Sequence, residues 1–384
     1  MSGEQVSGAN CPSCGRYVGR YEVCPYCGAR IKTRISIKVL FVLSLVISCV
    51  GIFFIYYAAR TSTAPTIHIQ DVTGEMNYAR VRIVGYAYTS STYDDIQGRL
   101  YFSMVDENWT YNEEFKTYTI MVFAYAPTAR DLVELGKAPV SGDKVEIVGT
   151  LRVRDSISLI INDPNDIIII REEPENVTLE IIDYNWKILL GKSVRVMGWL
   201  VGLDNYTTFI TADMKDYSYP DFSLSIYVPE IAMRWVGKIP KIFVGDKVEI
   251  VGNLWEYRGA PEIVPWNGSS IRIVEKLSPT NLSTILNNQE EYVDQGRIVM
   301  VNATIVGYDA SFNNKLKIQD SSISGSKSVV LWIDFGVWGE LNETIKEKLN
   351  TFGTHILVIG TCKFYGTSFE IAVYDTSWIL EIWE

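Results

Sequence analysis

The sequence predicts a mainly β protein: a short cysteine-rich N-terminal unit, one transmembrane helix and three tandem five-stranded barrels. Three observations lead to this prediction. Residues 39–59 form an apolar run of 21 residues without charge or proline. The octapeptide GDKVEIVG occurs at residues 142–149 and again, identically, at 245–252. The chain also contains 23 tyrosines and 10 tryptophans, residue types that favour strands.

The apolar run is long enough to cross a membrane, because 21 residues at about 1.5 Å each span a hydrocarbon core of about 30 Å. A soluble core helix of this length would show a polar face. A cleaved signal peptide has a shorter apolar region and would not follow 38 residues of chain. The flanking basic residues are four before the run and one after it, namely Arg30, Lys32, Arg34, Lys38 and Arg60. By the positive-inside rule, the N-terminus is cytoplasmic and the rest of the chain is extracellular.

Charge differs between the two sides of this helix. Of the 35 basic and 45 acidic residues, six basic and two acidic ones precede residue 60, which leaves 29 and 43 beyond it. The segment before the helix, residues 1–38, is therefore basic. The segment after it, residues 60–384, is acidic and is called the body below. An acidic body repels phosphate backbones, and this argues against nucleic acid as its partner.

Four cysteines make two CPxCG turns, with residues 15–23 between them: Cys11, Cys14, Cys24 and Cys27. Four thiolates suit tetrahedral Zn²⁺ in a closed structural site. An iron site of the rubredoxin kind has the same ligand geometry and stays open, as does a redox CxxC pair. Residues 9–31 resemble the short zinc ribbons of many archaeal and bacterial proteins, which implies a Zn²⁺ cofactor. The other two cysteines, Cys49 and Cys362, provide no disulfide framework.

The body repeats one unit about every 105 residues. A third copy of the octapeptide survives as GTHILVIG at residues 353–360. Upstream of each copy lies a matched strand that ends in glycine, at Gly85, Gly198 and Gly307. The predicted domains are a ribbon at 1–34, a helix at 35–60, a linker at 61–76, and barrels at 77–172, 173–276 and 277–384.

Within the first copy, alternating apolar residues predict strands at 79–88, 99–105, 118–126, 143–153 and 159–170, with a helix at 128–135. The third copy places a helix at 340–349 between its third and fourth strands. This order resembles tandem OB-folds of single-strand-binding and helicase-associated proteins. Another small barrel of five or six strands, or an immunoglobulin-like sandwich, remains an alternative.

Seven Asn-x-Ser/Thr sequons lie beyond the helix and none before it. The 18 asparagines of this region would give about three by chance, so we expect an N-glycosylated surface. A threonine-rich β protein with accidental sequons is the alternative. The predicted glycosylation sites are Asn108, Asn176, Asn205, Asn267, Asn281, Asn302 and Asn342.

Few residues of the sequence are candidates for catalysis. The two histidines, His68 and His355, match no catalytic motif, and Cys362 is most simply a small core residue. Residues 162–166, NDPND, could offer oxygens to Ca²⁺, although a turn between strands needs no ion. We therefore expect no enzyme.

An OB surface binds extended polymers through aromatic and basic side chains on its second and third strands. Here aromatic residues are present, but acidic residues accompany them and cations are expected to be absent. The alternative is that the same aromatic residues belong to the barrel cores. The aromatic residues are Tyr101, Phe102, Tyr217, Tyr227 and Trp332, and the acidic ones are Asp106, Glu107, Asp213, Asp216 and Asp334.

Two hypotheses follow. The favoured one is a non-enzymatic single-pass membrane protein that displays three OB-like domains outside the cell for contacts with envelope proteins or glycans. The competing one is an OB array that binds single-stranded nucleic acid, in DNA transfer across the envelope.

Overall fold

The computed structural model describes residues 10–19, 21–30, 37–61, 64–109, 118–154, 156–234, 238–309, 312–323, 325 and 327–383. The chain divides into two compact units, Met1–Thr63 and Ala64–Glu384. The first holds the cysteine turns and one helix, and the second holds three β-sheets. The mainly β prediction is confirmed.

Helix α1 covers Ile37–Thr61. Its stretch Lys38–Tyr57 is long and apolar enough to cross a membrane, and none of it is buried against the rest of the protein. Large apolar side chains are exposed on every face, from Val39 to Tyr57. A helix that is apolar all round needs an apolar environment, which the described residues of the protein do not supply. Lys32 and Arg34 of the basic flank lie outside the described residues.

The first barrel is built from seven strands and one helix. They are β1 (Arg80–Ala87), β2 (Thr92–Asp94), β3 (Arg99–Asp106), β4 (Thr119–Tyr125), α2 (Thr128–Glu134), β5 (Lys144–Val153), β6 (Ile157–Ile161) and β7 (Ile167–Ile170). The predicted strand at 159–170 is wrong in its length. A 3₁₀ turn at Pro164–Asp166 divides it, because Pro164 lacks the amide that a continuing ladder requires.

The second and third barrels repeat this order without a counterpart of β2, and one helix precedes the second barrel and two precede the third. The second contains β8 (Glu175–Asn176), α3 (Leu179–Leu189), β9 (Ser193–Asn205), β10 (Phe209–Asp216), β11 (Tyr219–Pro229), α4 (Glu230–Arg234), β12 (Lys247–Tyr257), β13 (Ala260–Pro265) and β14 (Ile271–Glu275). The third contains α5 (Leu282–Asn287), α6 (Gln289–Asp294), β15 (Ile298–Asp309), β16 (Phe312–Gln319), β17 (Val329–Ile333), α7 (Phe335–Glu340), α8 (Glu343–Leu349), β18 (His355–Tyr365), β19 (Ser368–Val373) and β20 (Ile379–Trp383).

Five strands of each unit form one closed circuit. The first strand pairs with the second and the fourth, the second pairs with the third, and the fifth joins the third to the fourth. The pairing of the third strand with the fifth is parallel in all three barrels, and every other pairing in the circuit is antiparallel. In chain order these five strands are β1, β3, β4, β5 and β6, then β9 to β13 without a gap, then β15 to β19. A sixth strand (β7, β14 or β20) pairs with the fourth.

Close packing explains the glycine near the middle of the first strand in the first and second barrels, but not Gly307 in the third, where a Cβ would lie 3.5 Å from Lys317. A Cβ on Gly85 would lie 1.9 Å from the carbonyl oxygen of Val105, and one on Gly198 would lie 2.5 Å from Cγ of Met214. The first strand turns here from its pairing with the fourth strand to its pairing with the second, since Gly85 lies opposite both Val145 of the fourth strand and Asp106 of the second. Only glycine permits this approach.

The Gly-Asp pair of the octapeptide lies where the first barrel meets the second. Asp143 is 1% exposed and accepts hydrogen bonds from Arg171 Nε at 2.8 Å and Arg171 Nη2 at 2.7 Å. It also accepts a bond from Asn253 Nδ2 of the second barrel at 2.9 Å. Gly142, with φ of +82°, leaves no space for a Cβ, which would lie 2.8 Å from Cβ of Asn253. This turn therefore joins the two barrels.

The second copy of the turn has the same role at the next junction. Asp246 is 2% exposed and accepts a bond at 2.9 Å from the amide of Leu277, on the segment that leads to the third barrel. A Cβ on Gly245 would lie 2.5 Å from Leu277 Cδ2 and 3.1 Å from Ile298. In the third copy, a Cβ on Gly353 would meet nothing within 4 Å. Thr354 replaces the aspartate there.

Candidate metal centre and barrel faces

The four cysteines lie on two matched turns. In each turn the amide of the glycine that follows the second cysteine donates to the carbonyl of the first cysteine, from Gly15 to Cys11 and from Gly28 to Cys24, both at 2.9 Å. Both glycines have a left-handed φ, of +71° and +69°. This conformation is available to glycine at little cost, which explains the residue that follows each CPxC.

The turns bring the four sulfur atoms within 4.8 Å of one another. Cys11 Sγ lies 3.6 Å from Cys27 Sγ, and Cys14 Sγ lies 3.6 Å from Cys24 Sγ. A tetrahedral ion with metal–sulfur bonds of about 2.3 Å separates its ligands by about 3.8 Å. The four thiols therefore fit one metal ion, with all four positions taken by protein, and among the described residues no other group of metal ligands is found.

Crowding of the thiols favours a cation between them. The amides of Cys14 and Ser13 lower the pKa of Cys11 to about 7. The Ala29 amide acts in the same direction on Cys27, but the neighbouring thiols Cys24 and Cys11 outweigh it and raise the pKa of Cys27 to about 12. Such thiols cannot all ionise beside one another unless a metal ion compensates their charge. Cys11, Cys24 and Val18 form the small buried centre of this unit.

Six of the seven sequon asparagines are exposed, including Asn302 on β15 and Asn342 before α8. The seventh, Asn267, is half-buried. Its Oδ1 accepts from Ser269 and Ser270 within the 3₁₀ turn Gly268–Ser270.

The remaining residues singled out in the sequence have local partners. His68 Nδ1 lies 3.0 Å from Asp106 Oδ1, and this hydrogen bond raises the pKa of His68. His355 Nδ1 lies 3.0 Å from Thr304 Oγ1, and the ring stacks on Trp383. Cys362 is 2% exposed, and burial raises its pKa to about 12. These positions contain no nucleophile beside a base.

The NDPND segment uses its carboxylates within the fold. Asp163 caps the 3₁₀ turn by accepting from the Asn165 amide, and Asp166 accepts from Arg80 Nη2 at 3.0 Å. The turn is explained without an ion.

The expected absence of cations beside the aromatic residues is wrong, and the third barrel shows this most clearly. Lys363 Nζ lies 3.4 Å from the centre of the Trp332 ring and donates to Tyr374 Oη at 3.4 Å. Burial lowers the pKa of Lys363. Beside it, Lys315 Nζ lies 2.7 Å from the buried carboxylate of Glu370. Sequence reasoning missed Lys363 because it belongs to the fourth strand, whereas Trp332 belongs to the third.

The first barrel carries a similar arrangement, and so does the second, where Lys247 Nζ lies 4.1 Å from the centre of the Trp199 ring and Arg297 Cζ lies 5.4 Å from that of Tyr217. Arg99 Cζ lies 5.0 Å from the centre of the Tyr101 ring, which is followed by Phe123 and Tyr125 on the next strand. Phe102 is a core residue. In the second barrel Asp213 accepts from Ser225 Oγ at 3.0 Å. Tyr217 is buried at the junction with the third barrel, where its Oη accepts from the Ile298 amide.

No protein-family model matches the chain, and no curated protein matches it. Among solved structures, OBody AM3L09 bound to hen egg-white lysozyme is similar at 24% identity, covering 23% of this chain and 87% of that one, with a TM-score of 0.19. The p204 HINb domain is similar at 11% identity, covering 46% and 91%, with a TM-score of 0.22. Asparaginyl-tRNA synthetase from Pyrococcus horikoshii is similar at 17% identity, covering 31% and 30%, with a TM-score of 0.23. At these scores the similarities assign no function.

Proposed function

We propose that this chain is a non-enzymatic, single-pass membrane protein that displays three OB-fold-like barrels outside the cell, where they contact envelope proteins or glycans. A cytoplasmic ribbon holds a structural Zn²⁺ ion. The observation that carries the proposal is helix α1, which is apolar on every face and separates the cysteine turns from all seven sequons.

Several features support this arrangement. The basic flank before α1 favours a cytoplasmic N-terminus, and the cytosol keeps thiols reduced for metal binding. Six sequon asparagines are exposed on the barrels, as glycan attachment requires. The strand circuit with its parallel pairing of third and fifth strands, and a helix between the third and fourth, supports the OB-like assignment.

Protease treatment of intact cells tests the orientation. We expect an external protease to remove the barrels and to leave a membrane-protected fragment that contains Cys11 and Cys27. The control is the same digestion after the cells are opened, which should also destroy the ribbon. Survival of the barrels in intact cells, with their loss in opened cells, would refute the proposed placement.

A second candidate function is binding of single-stranded nucleic acid, favoured by the lysine and aromatic residues on the third barrel. Trp332 offers a ring for base stacking, and Lys363 lies directly over it. The paired Glu370 and the acidic charge of the body oppose this function.

A mobility-shift assay with the full chain in detergent distinguishes the two functions. Nucleic-acid binding predicts a salt-dependent shift of a labelled oligonucleotide, weakened at least tenfold by Trp332→Ala and unaffected by the control Lys348→Met. The favoured function predicts no shift even at low salt.

A further inference from the structure

A cleft of about 510 Å³ opens on the third barrel between helix α8 and strand β20. Its apolar lining includes the buried Leu341 and the half-buried Ile345, Ile379 and Ile382. Charged side chains, among them the exposed Glu340, also line it. Clefts of this size commonly hold small ligands.

One lining residue is Asn342, the asparagine of a sequon. Its position is set by helix capping, since Asn342 Oδ1 accepts a hydrogen bond of 2.9 Å from the Ile345 amide at the start of α8. The side-chain oxygen of Asn342 therefore serves as the acceptor that caps α8. The amide nitrogen Nδ2, to which an N-linked sugar attaches, belongs to a side chain held at the edge of the cleft.

We propose that the glycan attached to Asn342 folds back into this cleft, so that its first sugars cover the apolar lining. This inference rests on the proposed exposure of the barrels outside the cell. In the attachment step a bond forms between Asn342 Nδ2 and C1 of a sugar. The bond from C1 to the phosphate of a lipid-linked donor breaks, and Nδ2 loses a proton. Oδ1 remains an acceptor throughout, so the cap of α8 is retained.

The chemistry of the cleft suits a carbohydrate. Sugar rings present apolar C–H faces as well as hydroxyl groups, and the lining combines isoleucine side chains with Glu340 and Lys348. Because the sugar is covalently bound to the cleft's own edge, its effective concentration there is high, and weak contacts suffice to hold it.

Release of glycans from the folded protein tests the proposal. The full chain, purified from the membranes of the cells that make it, is treated with an N-glycan-releasing amidase, and occupancy at each sequon is followed by mass spectrometry. We expect release from Asn342 at least ten times slower than from Asn302, which is exposed on β15. Denaturation should equalise the two rates. Filling the cleft by Ile345→Trp or Lys348→Trp should bring the native rate at Asn342 close to that at Asn302.

A matched pair of variants separates the glycan from the cap. Thr344→Ala abolishes the sequon but keeps Asn342 as the cap, and Thr344→Ser keeps both. We expect faster hydrogen exchange in β20 for Thr344→Ala alone. Equal native release at Asn342 and Asn302 would overturn this inference and leave the membrane topology intact. A protein without glycan at any of the seven sequons would contradict this inference and the external glycosylated surface together, and the protease test would then decide the topology by itself.

Discussion

At the scale of single residues, each cysteine of the ribbon contributes one of four sulfur ligands, and the small unit has few other buried side chains. On the proposed four-thiolate site, its folding free energy comes largely from metal binding. We expect the purified chain to contain one metal ion, identified as zinc by elemental analysis. Cys14→Ser should reduce the content to zero, because the oxygen is a poor substitute for a thiolate in a closed site.

Two other cysteines provide the controls for this measurement. Cys49 lies in α1 and Cys362 lies in the core of the third barrel, so Cys49→Ala and Cys362→Ala should retain the full metal content. Retention of one ion per chain by Cys14→Ser would contradict the four-thiolate site. Iron in place of zinc would keep the site but change its assignment.

Glu262 makes the free energy of unfolding depend on pH. This residue of β13 is 9% exposed and faces Trp255 across the β12–β13 pair. Burial, with a smaller contribution from repulsion by Glu256, raises its pKa to about 7. An acid whose pKa is higher in the folded state stabilises the fold at low pH. This contribution is fully present below about pH 4.5 and is lost as the pH rises through about 7, a change of about 3 kcal/mol.

Glu262→Gln should remove this dependence, because glutamine has nearly the same shape and no charge to lose. We expect the variant to gain up to about 3 kcal/mol on the wild type between pH 4 and pH 8, as measured by chemical unfolding at each pH. Glu381→Gln, on the exposed face of β20, serves as the control and should follow the wild-type curve. Parallel curves for Glu262→Gln and wild type would contradict the assignment.

Residue-scale features were predictable from sequence only where they are local. The CPxCG spacing predicted the sulfur cluster because all four ligands lie within 17 residues of chain. Neither Glu262 nor Lys363 carried such a signal. The burial of Glu262 and the contact of Lys363 with Trp332 depend on strands that meet only after the barrel closes.

At the scale of elements, the Gly-Asp turn explains why two octapeptides are identical and the third is not. Gly142 and Gly245 lie against residues of the next barrel, and Asp143 and Asp246 accept hydrogen bonds there or from the segment leading to it. At Gly353 no such neighbour lies within 4 Å, and the aspartate is replaced. The identity of the first two octapeptides therefore reflects their contacts at the junctions between barrels as well as their place in the fourth strand.

Alanine at these glycines tests the role of the turn. Both Gly142 and Gly353 have left-handed backbones, at φ of +82° and +88°, so alanine costs each about 1–2 kcal/mol in strain. Gly142→Ala should cost about 1–3 kcal/mol more, because its Cβ would displace Asn253. Denaturant unfolding, monitored by hydrogen exchange in the barrel that carries each substitution, measures the difference in free energy of unfolding between the two variants. Equal costs at the two positions would argue against a junction at Gly142.

The distinction between local and long-range features also explains which helices and strands were predicted from the sequence. Strand alternation and, in the first and third barrels, the helix before the fourth strand were predicted, since they depend on local periodicity, although the third-barrel helix begins at Glu343 rather than at residue 340. Helices α3, α5 and α6, which precede the second and third barrels, were not. Helices α5 and α6 are only six residues each, too short to show a helical period, whereas α3 has 11 residues and a Thr178 cap, a local signal that sequence reasoning overlooked.

At the scale of the whole molecule, the three barrels do not have three separate cores. One continuous cluster of buried apolar residues extends from Ile69 in front of the first barrel to Ile271 at the end of the second. Trp255 of the second barrel contributes to this cluster. Its ring centre lies 5.0 Å from that of Trp109, and its Nε1 donates to the Tyr88 carbonyl at 3.1 Å. The third barrel has its own cluster, and a small group around Val244, Ile298 and Ile359 lies at its junction. The repeat in the sequence predicted three equal units, but could not predict that two would share a core.

This division predicts how the body unfolds. A shared core makes the first two barrels one cooperative unit, while the third can unfold separately. We expect Leu254→Ala, in the fully buried core of the second barrel, to accelerate hydrogen exchange throughout the first barrel as well. Leu331→Ala, equally buried in the third barrel, should accelerate exchange there alone. Each substitution should cost about 2–5 kcal/mol within its own unit, measured on the full chain in detergent. A uniform response of all three barrels to Leu331→Ala, or an unaffected first barrel in Leu254→Ala, would show that the buried clusters do not define the cooperative units.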